Sequence, residues 1–215
     1  MIDFYTWATP NGRKIAIMLE ETRLDYVARP VNITRGEQFE AAFVKISPSS
    51  KIPAIVDQDA PGGPLAVFES GAILTYLAEK TGAFLPTDPA QRSATLQWLF
   101  WQVGGFGPML GQYAHFRVRN EAEDAYVRKR YTDEAARLFG VLDARLAEVE
   151  FAAGAYSIAN MAIYPWSAPT RPRIEQATGK AFPHVARWER QMSERPAVGR
   201  GMGVPAIPTI PTIPA

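Results

Sequence analysis

The chain has no cysteine among its 215 residues. Disulfide cross-links, thiolate metal sites and a protein thiol nucleophile are therefore ruled out, and any thiol chemistry must take its sulfur from a ligand. Neither sign of charge dominates: 23 Lys and Arg stand against 22 Asp and Glu. A nucleic acid is not expected as partner, since phosphate binding needs a basic excess or patch. Arg128-Lys129-Arg130 is a short basic run of the kind that lines a solvated helix face. Histidine is scarce: His115 and His184 lie far apart with no H-E-x-x-H spacing, so no metal site is expected. No apolar run approaches the ~20 residues that span a bilayer. Met1-Ile2-Asp3 enters strand-like sequence without the basic start and apolar stretch of a signal peptide. The expectation is a cytoplasmic protein without a membrane partner. What is abundant is apolar: hydrophobic residues make up 47% of the chain, enough for packed cores.

The first part of the chain alternates strand and helix signals. Ile2 to Trp7 reads as a strand, and Asn11 to Glu21 as a helix with apolar Ile15, Met18 and Leu19 on one face. Tyr26 to Ile33 reads as a second strand. Gly36 to Ile46 reads as a short helix or an irregular segment. Ala54 to Val56 and Leu65 to Phe68 read as short strands around the turn-rich Asp59 to Pro64, and Glu69 to Lys80 as a helix. The order β-α-β-α-β-β-α is thioredoxin-like and fits an α/β layer. Gly82 to Pro89 reads as a linker, after which helix signals dominate. The expected division is an α/β domain over 1–81, a linker over 82–89, an all-helical domain over 90–203 and a Pro-rich tail over 204–215.

Within the helical part, Gln91 to Phe116 is aromatic-rich and interrupted at Gly104-Gly105, Gly107-Pro108 and Gly111, which predicts a bent helix. Its glycine spacing does not match a phosphate loop. Tyr131, Ala135, Leu138, Leu142, Leu146 and Val149 mark an amphipathic helix. Ser157 is the expected cap of a helix that starts at Tyr156-Ser157-Ile158-Ala159-Asn160. His184 to Met192 supplies a last helix. The Ile-Pro-Thr repeat from Val204 onward reads as an extended, polyproline-like tail.

Ser47-Pro48-Ser49-Ser50-Lys51-Ile52-Pro53-Ala54-Ile55 followed by Phe68-Glu69-Ser70-Gly71 carries most of the functional information. A residue before proline is biased to extended backbone, so Ile52 can offer its N–H and C=O to an extended ligand. The Ile52–Pro53 bond is one where a cis peptide costs little, and a cis proline would hold that edge at a tight turn. Glu69-Ser70 opens a helix whose free N–H groups attract a carboxylate, and Glu69 can take a ligand ammonium. A pairing edge beside a zwitterion clamp suits a small peptide. Upstream, Thr9-Pro10-Asn11-Gly12 follows the first strand. Thr9 and Pro10 suit a helix cap. The same position suits a ligand thiolate, which a helix N-terminus and hydroxyl or amide donors stabilise below the free thiol value of about 8.5.

With these segments, together with Leu96 to Gly105 and Tyr156 to Asn160, the chain resembles the glutathione transferases. Within them it is most similar to the bacterial Nu-class proteins that reduce disulfides with glutathione. The resemblance implies a thioredoxin-like glutathione-binding domain followed by an all-helical domain, assembled as a homodimer. It implies catalytic roles for Thr9 and Asn11, which would face the glutathione sulfur. Gln38 and Lys51 would reach the glycine carboxylate, and Ile52, backed by Pro53, would pair with the cysteinyl residue. Glu69 and Ser70 would hold the γ-glutamyl end, and Arg130 would contact glutathione. A second glutathione would resolve the mixed disulfide, since the protein has no cysteine, so the site would hold two glutathiones or glutathione disulfide. Trp101, Phe106, Met109, Tyr113 and Phe116 are the expected cleft wall. Two rival readings use the same fold: a transferase or peroxidase acting on an electrophile, and a glutathione-binding scaffold without turnover. Tyr5 and Trp7 read as packing residues, and His115 as a surface or cleft residue. Asn160 stands where the family pattern has Asp, a difference that bears on folding rather than chemistry.

Overall fold

The computed structural model describes residues 1–118 and 125–206. Four strands form one sheet: β1 (Ile2–Thr6), β2 (Tyr26–Pro30), β3 (Ala54–Asp57) and β4 (Leu65–Phe68), in the order β2-β1-β3-β4. β1 and β2 are parallel and joined by helix α1 (Pro10–Thr22), whereas β3 runs antiparallel to both β1 and β4. Between β2 and β3 lie a 3₁₀ turn (Glu37–Phe39) and the single-turn helix α2 (Ala41–Val44). Helix α3 (Ser70–Thr81) follows β4 directly. The thioredoxin-like order expected from the sequence is the order formed. β2 is shorter than expected and ends at Pro30; the backbone continues alongside β1 only through Val31 N–H, which donates to the Thr6 carbonyl.

Strand alternation sorts β1 between two cores. Ile2 and Phe4 join Ile55 and the apolar face of α1 in the main core. Tyr5 points the other way, against a small cluster of Val31, Phe43 and Ala54. Tyr5 is thus a packing residue, as its position within the strand suggests.

The remainder is helical: α4 (Pro89–Trp101), a π-helical turn (Gln102–Phe106), α5 (Gly107–Val118), α6 (Ala125–Glu148), α7 (Ile158–Thr178), α8 (Pro183–Ser193) and α9 (Pro196–Met202). The glycine-rich stretch expected to bend the aromatic helix carries one π turn, and the chain stays helical from Pro89 to Val118. Its glycines have a packing reason. A Cβ on Gly107 would lie 2.6 Å from Gln102 Nε2 and 3.4 Å from Trp166 Nε1, and a Cβ on Gly111 would lie 3.4 Å from Trp166 Cη2. They are clearance for the Trp166 ring on α7.

The sequence reading missed α9 altogether. It packs on α1, where a Cβ on Gly201 would meet the Ile17 backbone at 2.6 Å. Arg195 and Arg200 pair with Glu21 and Glu20 at 2.7 and 2.6 Å, and Arg195 also lies 3.8 Å over the Tyr156 ring. Val204 packs against the core and Pro205 is buried, so the expected extended tail does not begin at Val204. The rest of that repeat, from Ile207, lies outside the described residues.

Candidate functional site

Sheet register decides what meets at one end of the molecule. Ala54, the first residue of β3, is paired on one side with Tyr5 and on the other with Phe68. Ile52-Pro53 before β3, Glu69-Ser70 after β4 and Trp7 to Thr9 after β1 therefore emerge at the same sheet end. β2 also ends there, since Thr6 is paired with Pro30, and the turn carrying Gln38 follows it. Eight of the nine predicted site residues are brought to this end by topology alone.

The Ile52–Pro53 peptide is cis, as expected. The loop before it is closed by Ser47, whose hydroxyl donates to the Lys51 carbonyl at 2.9 Å. Among the described residues Ile52 makes no backbone hydrogen bond, which leaves its N–H and C=O for a ligand strand. Pro53 is buried behind it, and Lys51 is exposed at the rim. Gln38 is half-buried, and its amide oxygen is buried with no protein partner among the described residues. An orphaned buried amide at the same sheet end as an unpaired edge fits a peptide ligand.

Glu69 holds the left-handed side of the backbone map at φ 70°, ψ 118°, and Ser70 is the first residue of α3. Such a conformation in a non-glycine residue costs energy, and it occurs here where the chain turns its helix N–H groups outward. Beneath Ser70 lies Lys14, a residue that sequence reasoning did not single out. It is 2% exposed, and its ammonium donates to Ser70 Oγ at 3.2 Å and to Gln102 Oε1 at 2.6 Å. Burial pushes the Lys14 ammonium down to about 7, against the opposing attraction of Glu69. One signal was available: Lys14 stands four residues before Met18, on the buried face of α1.

Thr9 caps α1, its hydroxyl oxygen accepting from Gly12 N–H at 3.3 Å. A hydroxyl that accepts in this way still has its proton to donate, so capping and ligand contact are compatible. Gly12 is required by space: a Cβ there would sit 2.4 Å from Thr6 Oγ1 and 2.6 Å from the Trp7 carbonyl. The Asn11 side-chain oxygen accepts from the Trp166 indole N–H at 2.9 Å. Indole nitrogen only donates, so this contact fixes the amide and commits its NH₂ group to face away from α7. Trp166 is a second residue the sequence reading overlooked.

Arg130 is the predicted residue that topology does not bring to the sheet end. It is exposed on α6, acts electrostatically on Glu134, and lines a cavity of about 800 Å³ with Met109, Tyr126, Lys129 and Asp133. The expected cleft wall separates. Phe106 is fully buried between Trp101 and Phe139 in the core, because the π turn rotates it inward. Tyr113 and Phe116 line a different cavity of about 390 Å³, with Arg117 and Arg173. Of the five, Met109 alone lines the cavity beside Arg130. His115 is exposed, edge-on to Phe116. Among the described residues no group of acidic, histidine or cysteine side chains is placed to hold a metal, and no helix is long and apolar enough to cross a membrane.

Comparison with known proteins identifies the family. The family model for the N-terminal domain of glutathione S-transferase matches residues 8–80. Over 206 residues the chain is 50% identical to the disulfide-bond oxidoreductase YfcG of Escherichia coli, covering 94% of both proteins. It is 43% identical to the disulfide-bond oxidoreductase YghU of the same organism, covering 93% of this chain and 73% of that protein. A glutathione transferase from Pseudomonas putida, solved with one glutathione disulfide bound per subunit, superposes with a TM-score of 0.90 at 46% identity, over 95% of this chain and 91% of that one. A glutathione transferase from Burkholderia graminis, solved with two glutathione molecules per subunit, gives 0.88 at 42% identity, over 95% and 88%.

Proposed function

The chain belongs to the glutathione transferase family, and on that premise we propose that it is a glutathione-dependent disulfide-bond oxidoreductase. The net reaction breaks the S–S bond of a small disulfide and forms that of glutathione disulfide. Two glutathione molecules supply the two electrons and two protons, and no protein thiol takes part. The 50% identity to YfcG over nearly the whole chain supports the reaction class.

The observation that carries the reading at the site is the pair Thr9 and Asn11 at the start of α1, with the Asn11 amide pinned by Trp166. Two donors and a helix N-terminus favour a thiolate over a thiol, and thiolate is the form that attacks disulfides. We assign the remaining contacts from the family resemblance, to residues at the same sheet end and, for Arg130, on α6. Ile52 pairs backbone to backbone with the cysteinyl residue, with cis Pro53 holding the edge. Gln38 and Lys51 take the glycine carboxylate, and Glu69 and Ser70 the γ-glutamyl ammonium and carboxylate. Arg130 serves the second glutathione from its polar cavity, whose size and charge suit a peptide thiol better than a flat apolar electrophile. The relatives with glutathione disulfide or two glutathiones per subunit are consistent with that double occupancy. The Nu class, a cytoplasmic setting, a homodimer, and a glutathione-binding domain over 1–81 followed by a helical domain from 90 belong to the same proposal.

A panel assay of the purified protein with glutathione tests it. Turnover of bis(2-hydroxyethyl) disulfide is expected to exceed turnover of an aryl halide and of an organic peroxide. Conjugation without detectable disulfide reduction would show the ordinary transferase reading to be correct.

A further inference from the structure

We propose that Lys14 is a positioning residue for ligand recognition: buried behind the start of α3, it orients the Ser70 hydroxyl and places positive charge under the corner that receives the ligand's α-carboxylate, so that the site selects for that group. The inference rests on the glutathione-site reading above and deepens it.

A protonated lysine can only donate, so Ser70 Oγ accepts from it. The serine proton must then point away from Lys14, and the open side is the start of α3, where the helix N–H groups also emerge. The hydroxyl thereby becomes a directed donor rather than a free rotor. Gln102 completes the arrangement: its Oε1 accepts from Lys14 and its Nε2 is buried with no partner among the described residues. Gln102 is the first residue of the π turn, a distortion that recurs at functional sites. A wholly structural bridge between α1 and that turn would not require an ion, and burying one without a paired carboxylate is costly. The charge is repaid when an anion arrives above it.

The groups around Lys14 fit this account. Glu69 is the charged group that acts on it, from the start of α3, and it favours the protonated form. Ser70 and Gln102, which touch it, are neutral. From α7 the contact to the start of α1 is the neutral Trp166 to Asn11 bond. Arg195 and Arg200, at and within α9, are engaged with Glu21 and Glu20 at the other end of α1. A bound carboxylate raises the proton affinity of the lysine. The lysine's contribution to binding is therefore complete below the free value of about 7 and is lost as pH rises through the higher bound value.

Calorimetry with two peptides tests this: S-methylglutathione, which has no thiol to titrate, and its analogue with γ-aminobutyrate in place of γ-glutamate, which lacks the α-carboxylate. The wild type is expected to prefer the carboxylate-bearing peptide by about tenfold or more. Its affinity for that peptide should fall between about pH 6 and about pH 8. Lys14→Met should abolish most of the preference and flatten the pH profile, and Lys14→Arg should restore the preference. Gln102→Glu sets a competing carboxylate against the lysine and should lower the preference too, and this carries the test should Lys14→Met fail to fold. Full discrimination retained in Lys14→Met, or in Gln102→Glu, overturns the proposal while leaving the glutathione site intact. A wild type that binds neither peptide overturns both.

Discussion

An asparagine amide has a donor end and an acceptor end, and which of them a ligand meets depends on what holds the other. In this protein the holder is Trp166, nine positions after the Ser157 cap of its own helix yet in contact with the start of α1. On the proposed assignment, replacing Asn11 with Ala removes a donor to the sulfur and should raise the pKa of bound glutathione by about one unit, equivalent to ~1.4 kcal/mol. Turnover should fall by about tenfold or more, with a smaller change in the Michaelis constant. Trp166→Phe keeps the ring but lets the amide rotate, so it should shift the same pKa in the same direction by a smaller amount. Titration of the thiolate ultraviolet absorbance in each complex measures both. A Trp166→Phe protein with wild-type pKa and turnover would mean that Asn11 needs no holder. This second contact could not be read from the sequence, because 155 positions separate the two residues and an indole in a helix usually signals only packing.

At the level of elements, local chemistry and tertiary packing divide the work. Caps written in the sequence start the helices: Thr9 for α1, Asp88 for α4 through Gln91 N–H, and Ser157 for α7. Asn160 performs the reciprocal half of the last cap, its Oδ1 accepting from Ser157 N–H at 3.2 Å and from Ser157 Oγ at 3.3 Å. Its Nδ2 is buried without a partner among the described residues, the consequence of an amide where a carboxylate would have no proton to place. Asn160→Ala should destabilise the protein by about 1–2 kcal/mol, since two buried donors lose their acceptor. Urea unfolding monitored by circular dichroism checks this, and an unchanged midpoint would show the cap to be redundant. What escaped the sequence reading was set by packing. Gly107 and Gly111 look like breaks until the Trp166 ring lies over them, and the seven residues of α9 carry two glycines and little apolar periodicity. Pro165, Pro169 and Pro172 stand inside α7, where each removes a backbone donor, yet the helix continues, with every residue from Ile158 to Pro165 buried. The sheet end was legible because strand order and the cis proline follow from short-range signals. Lys14 and Gln102 were not, because 88 positions separate them and a lysine is normally read as solvent-facing.

For the whole molecule the telling feature is where apolar surface is left outside. The main core runs without interruption from Ile2 in the sheet to Val198 in α9, so the sheet and the helices share one interior. Against that background Phe100 on α4 is 66% exposed, and Leu65 and Phe68 are exposed on β4, one of the two edge strands. Phe100 stands at a groove between α3 and α4 of about 460 Å³, lined also by Ala72, Thr75, Leu99 and Val103. An apolar side chain beside an apolar groove and an uncovered sheet edge is costly in a monomer and economical in a self-complementary pair. The homodimer proposed above is therefore expected to form through the α3–α4 face. Phe100→Asp should shift the protein from dimer to monomer in sedimentation analysis, because a charge would have to be desolvated at the two-fold contact. Far-ultraviolet circular dichroism should remain unchanged, since Phe100 contributes little to the interior. The sheet end, with Thr9, Asn11 and Ile52, is built from one chain's own strands, so the monomeric variant should still bind S-methylglutathione. A Phe100→Asp protein that remains dimeric would move the interface to another face, and one that loses the ligand would show that the pocket draws on both subunits.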